Sequence, residues 1–90
     1  MDNREKRLKR LAFRAVHRGI KELDILVGDF ADQFLGDMTE DELNEFEGLL
    51  SVPDQEFYAM LRKERSIPEE VDGPVLQCMI TFTEKRQGNA

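Results

Sequence analysis

The sequence predicts an all-α protein, a compact small bundle of four or five helices. Three observations predict it. Apolar residues recur at i, i+3, i+4 and i+7 over successive segments. A helix-capping signature stands at Thr39 to Glu42. Gly or Pro punctuates the stretches between the apolar stripes. Ninety residues suit a single domain, expected to span 1–90 with a folded core over about 5–86 and frayed termini.

The first stripe, Leu8, Leu11, Ala12, Ala15 and Val16, predicts an amphipathic helix from Arg4 to Val16. Phe13 lies off that stripe and is either a partner contact or part of a second packing surface. Gly19 is the expected break. The second stripe runs through Ile20, Leu23, Leu26, Val27, Phe30, Ala31 and Phe34 and ends near Gly36. Gly28 inside it costs about 1 kcal/mol relative to Ala, and close helix packing is one reason to tolerate that. Thr39 and Glu42 have capping-box spacing, Met38 and Leu43 the spacing of a hydrophobic staple. Leu43, Phe46, Leu49 and Leu50 then form the buried face of a third helix. Pro53 marks a turn or the first position of a fourth helix, with Asp54 as a cap, and Phe57, Tyr58, Met60 and Leu61 give that helix its apolar side. It ends in the basic cluster Arg62, Lys63 and Arg65, and Ile67-Pro68 is a linker. After Asp72-Gly73-Pro74 the apolar positions are Val75, Leu76, Met79, Ile80 and Phe82. The β-branched Ile80 to Thr83 stretch leaves a strand open, but a lone strand would lack a partner, so helix is expected. Residues 87–90 are expected to fray.

Charge is unevenly placed. The formal net charge is −6, yet residues 1–21 net +6 while residues 22–57 carry twelve acids and no Lys or Arg. That acidic stretch selects basic partners and repels phosphate backbones. The basic first segment either touches nucleic acid or acidic lipid, or is a solvated helix that pairs with the acidic body. No apolar run approaches the ~20 residues of a membrane span, and no secretory h-region is visible. One cysteine and one histidine exclude a disulfide framework and a Cys/His zinc cage.

Nothing supports an enzyme. There is no phosphate-binding glycine loop. Cys78, in an apolar segment, is expected to be a buried and inert thiol. His17 is expected at the surface or half-buried at a helix end. Asp37, Glu40, Asp41, Glu42 and Glu45 read as a solvated helix face without the pattern of a calcium loop. What remains is His17-Arg18-Gly19-Ile20-Lys21-Glu22-Leu23-Asp24, where the basic and acidic stretches meet. Arg18 and Glu22 are four apart and on one helical turn would project to the same side. Gly19 between them leaves the backbone open to close approach. By themselves these residues read either as a structural ion pair or as a docking site.

Arg18-Gly19-x-x-Glu22 followed by Leu23-Asp24 resembles the RGxxE signature of the succinate dehydrogenase assembly factor 2 family. The likeness continues through Leu26-Val27-Gly28-x-Phe30, Met38-Thr39 to Glu42, Phe46-Glu47-x-Leu49-Leu50 and Asp54, and covers roughly residues 8–82. The resemblance implies a compact five-helix bundle. It also implies a non-catalytic assembly factor that binds the flavoprotein subunit of succinate dehydrogenase and promotes covalent attachment of FAD, with fumarate reductase flavoprotein left open as a second client. The partner-binding residues it implies are Arg18, Gly19 and Glu22, with Asp24 and His17 beside them. The flavoprotein's own histidine would attack the flavin C8 methyl, while the helper holds a near-attack geometry. FAD would end on the partner, and no cofactor or metal is expected on this chain. The family often has Arg where His17 stands, Met at Ile20, and a Trp in the fourth helix that Tyr58 replaces here.

Two other classes are kept open. One is an antitoxin-like acidic protein masking a basic partner. The other is a nucleic-acid or membrane-surface module, which predicts steeply salt-dependent binding. A bacterial cytoplasmic monomer is expected, or a protein of the mitochondrial matrix if the chain is a processed eukaryotic form.

Overall fold

In a computed structural model, which describes residues 3–87, five α-helices follow in the expected order. They are α1 (Asn3–Ala15), α2 (Lys21–Phe34), α3 (Glu40–Leu50), α4 (Asp54–Leu61) and α5 (Pro74–Gln87). Short 3₁₀ turns, Leu35–Asp37 and Glu69–Val71, connect α2 to α3 and α4 to α5. No strand occurs among the described residues. The last segment is helical because its Val75, Leu76, Met79 and Ile80 fall on one helix face and are all buried. Pro74 opens it at a first-turn position where its missing N–H costs nothing. Of the residues 87–90 expected to fray, Gln87 is still helical at the end of α5, and 88–90 lie outside the described residues.

α5 packs against α2, α3 and α4, while α1 lies across α2 and α3. The buried side chains form one cluster. Phe30 is central to it, 6.3 Å from Phe46 and 5.5 Å from Phe82 in an edge-on arrangement. The capping box is present: Thr39 Oγ1 accepts from the Glu42 N–H at 3.2 Å, and Glu42 Oε1 accepts from the Thr39 N–H at 2.9 Å. Met38 and Leu43, the staple pair, are both buried. Gly28 is a place of close approach, since a Cβ there would lie 2.6 Å from Val16 Cγ1.

Charge pairing welds α1 to the acidic body. Arg4 and Arg7 each bridge to Glu40 at 3.0 Å, Arg7 also to Glu47 at 3.0 Å, and Arg14 to Glu47 at 3.7 Å. The acidic run is therefore not merely a solvated face. Glu45 leaves it as well: its Oε2 accepts from the Leu76 N–H at 3.0 Å, at the N-terminus of α5. Gly73 makes that possible, because a Cβ there would sit 2.6 Å from the Glu45 carboxylate.

Three expectations are corrected. Val16 lies beyond α1 and is 43% exposed rather than part of the core. Cys78 is exposed, because the turn of α5 that buries Leu76 and Met79 points position 78 outward. Asp54 does not cap α4: Pro53 occupies the cap position without a side-chain bond, and Asp54 is the first helical residue.

Candidate partner-docking site

The segment singled out from the sequence forms the corner between α1 and α2. α1 ends at Ala15 and α2 begins at Lys21, so Arg18 and Gly19 belong to the loop and not to a helical turn shared with Glu22. The expected same-side pairing of Arg18 with Glu22 is thereby overturned.

Arg18 turns inward instead, and its side chain is 8% exposed. Its Nε donates to Asp54 Oδ1 at 2.9 Å, and Nη2 lies 2.8 Å from the same oxygen. Nη1 donates to the Leu50 carbonyl at 2.6 Å and Nη2 to the Val52 carbonyl at 3.0 Å. The guanidinium thus fills the C-terminal end of α3, whose carbonyls lack helical partners and carry the negative end of the helix dipole. Its carbon also sits 5.7 Å from the Phe57 ring centroid. Only a planar fork of donors can serve a carboxylate and two carbonyls together.

Asp54 answers from the start of α4. Besides Arg18 it accepts from the Gly19 N–H through Oδ2. A Cβ at Gly19 would lie 2.9 Å from that oxygen, and no glycine among the described residues has a positive φ. Gly19 leaves room beside Asp54 rather than supplying backbone freedom. Asp24, on the first turns of α2, reaches back to accept from the Arg18 N–H at 2.7 Å. The loop is therefore pinned from both sides, by Asp24 of α2 and Asp54 of α4.

What this arrangement turns outward is small and specific. Gly19 and Glu22 are exposed, and Glu22 makes no hydrogen bond or ion pair within the described residues. His17 is exposed as well; its Nδ1 donates to the Phe13 carbonyl at 2.8 Å and its ring stacks on Phe13 with centroids 3.9 Å apart. Phe13, which the sequence left between two readings, is 61% exposed and stacks on that ring. Of the five residues singled out, the structure gathers all at one corner but divides them: Arg18 and Asp24 hold the loop, while His17, Gly19 and Glu22 face out. Asp54 is the member that the sequence alone assigned to capping. Its legible signals are an acid opening a helix and a place among the landmarks of the family resemblance, and nothing local shows that its partner lies 36 residues away.

Chemically the corner offers a bare backbone, a free carboxylate and an aromatic pair, with no nucleophile beside a base. Among the described residues no group of His, Cys, Asp and Glu is gathered as metal ligands, and no helix is long and apolar enough to cross a membrane.

The profile of the family described as flavinator of succinate dehydrogenase matches residues 9–83. Among curated relatives, the chain is similar to the FAD assembly factor SdhE of Acetobacter pasteurianus, 40% identical over 97% of this chain and 80% of that protein. It is also similar to the mitochondrial succinate dehydrogenase assembly factor 2 of Dictyostelium discoideum, 34% identical over 81% of this chain, and to that of Caenorhabditis elegans, 40% identical over 70% of this chain. It spans 52% and 55% of those two mitochondrial proteins.

Proposed function

This chain belongs to the family of flavinators of succinate dehydrogenase, and from that membership we propose that it binds the flavoprotein subunit of succinate dehydrogenase and promotes covalent attachment of FAD to it. The observation that supports the reading most directly is the pinned corner, which offers a partner Gly19 on a loop held by Asp24 and Asp54, and Glu22 on the adjoining first turn of α2. Preorganisation of that kind removes much of the entropic cost of association.

The geometry supports the following assignment of roles. Glu22 supplies an unpaired carboxylate for a charge-assisted hydrogen bond with the partner. Gly19 admits the partner's backbone, and His17 borders the contact. Arg18 and Asp24 act as positioning residues rather than as direct contacts. The chain performs no bond-making itself; it favours the flavoprotein conformation in which the flavin and its attacking side chain are already aligned. In this reading the flavin is the partner's and this chain holds none stably. A fumarate reductase flavoprotein is a second client with the same chemistry. The bacterial cytoplasm is the compartment we propose, from the similarity to a bacterial FAD assembly factor.

The test is flavin fluorescence of the flavoprotein subunit on a denaturing gel, with this chain, without it, and with Glu22→Ala. Covalent flavin should rise with the wild type and fall with the variant. Equal fluorescence in all three lanes would overturn the reading.

A further inference from the structure

Resting on the flavoprotein-binding reading, we infer that the docking surface does not end at Gly19 and Glu22. It continues along the outward face of α2, where an open groove receives an apolar side chain of the flavoprotein subunit flanked by Lys or Arg. Among the described residues, large apolar side chains that remain exposed are few: Phe13, Val16, Ile25 and Phe34. Two of them, Val16 and Ile25 (49% exposed), line one groove of about 400 Å³ together with Asp24, Gly28, Asp29 and Asp32. Val16 is seated over Gly28, where any side chain at position 28 would displace it. Its methyl groups form the apolar floor of the groove.

The rim is acidic. Glu22, Ile25, Asp29 and Asp32 follow one another at helical spacing and share a face of α2. The carboxylate of Asp24 is taken by the Arg18 N–H, and Asp29 bridges to Arg86 at 2.8 Å. Glu22 at one end and Asp32 at the other have no partner within the described residues. An apolar floor between two free carboxylates fits a segment with an aliphatic or aromatic residue next to a base. The same charge disfavours a phosphate backbone, an anionic membrane, or the α2 face of a second copy of this chain.

The experiment measures binding of the full chain to purified flavoprotein subunit by calorimetry at low and high salt. Ile25→Ser should weaken binding about tenfold or more at both salts. Asp32→Lys should weaken it about tenfold near 0.05 M salt and approach wild type near 0.5 M. Glu69→Lys makes the same charge change on the 3₁₀ turn packed against α3 and should bind as wild type does. Both α2 positions are exposed, and melting midpoints near that of wild type verify that the variants fold. If Ile25→Ser and Asp32→Lys bind normally while Glu22→Ala weakens binding, the groove is overturned and docking at Gly19 and Glu22 stands. If Glu69→Lys weakens binding as much as Asp32→Lys does, only net charge matters and the groove is likewise overturned. If the wild type does not bind the subunit at all, both readings fall.

Discussion

Arg18 shows how one side chain can carry a loop, two helix ends and an aromatic face at once. Its cation is nearly buried, but every donor direction that faces inward meets an oxygen: Asp54, the Leu50 carbonyl and the Val52 carbonyl. Removing one partner of a buried ion pair costs about 3–5 kcal/mol, and the partial exposure of Asp54 lowers that figure here. Arg18→Lys keeps the charge but loses the fork, so it should destabilise the bundle by about 2 kcal/mol. Urea unfolding followed by circular dichroism measures this, and an unchanged midpoint would mean that the guanidinium geometry is unimportant. Gly19 belongs to the same cluster. Its substitution by a larger residue displaces Asp54, so loss of flavinylation in such a variant would not by itself report on docking, whereas Glu22→Ala leaves that cluster intact.

Among the elements, α4 ends in an unusual way. The Lys63 N–H donates to the Met60 carbonyl at 3.1 Å and the Glu64 N–H to the Ala59 carbonyl at 2.8 Å, the paired bonds of a Schellman ending. The residue that turns left-handed there is Lys63, with φ of 61°, where glycine is the usual occupant. A left-handed non-glycine residue costs roughly 1–2 kcal/mol. Its exposed bridge to Glu84 returns only a few tenths of that. Lys63→Gly should therefore raise stability by about 1 kcal/mol, seen as a higher thermal midpoint with the same unfolding slope. A lower midpoint would show that the bridge outweighs the backbone strain.

For the whole molecule, the question is what holds α1 down. Only Leu11 and Ala15 of that helix are buried, so the bridges of Arg4, Arg7 and Arg14 to Glu40 and Glu47 contribute a larger share than they would on a deeply packed helix. Such half-exposed pairs are each worth about 0.2–1 kcal/mol. Glu40→Gln combined with Glu47→Gln should cost about 1 kcal/mol and speed amide exchange in α1 while α2 to α5 stay protected. Uniformly faster exchange in all five helices would show that α1 is not a separable unit. These bridges also divide the eight bases of residues 1–21. Those facing α3 are consumed, whereas Lys6, Lys9 and Arg10 remain exposed and unpaired within the described residues.

How much of this was legible depends on the range over which each interaction acts. The helices were legible because a stripe of apolar residues and a capping box act over a few positions, as Leu23 to Phe30 and Thr39 with Glu42 demonstrate. The corner between α1 and α2 was legible as a place, through its glycine and its change of charge. By itself, then, the sequence determined the all-helical class, the element order, most of the core and the location of the candidate site. Only the tertiary structure decided that Arg18 faces inward, that Asp54 rather than Glu22 is its partner, that Glu45 caps α5, and that Val16 and Cys78 are exposed. The reason is physical. A carboxylate's nearest cation, or a helix terminus's nearest oxygen, is set by packing elements 31 or 36 residues apart, and no local spacing encodes that distance.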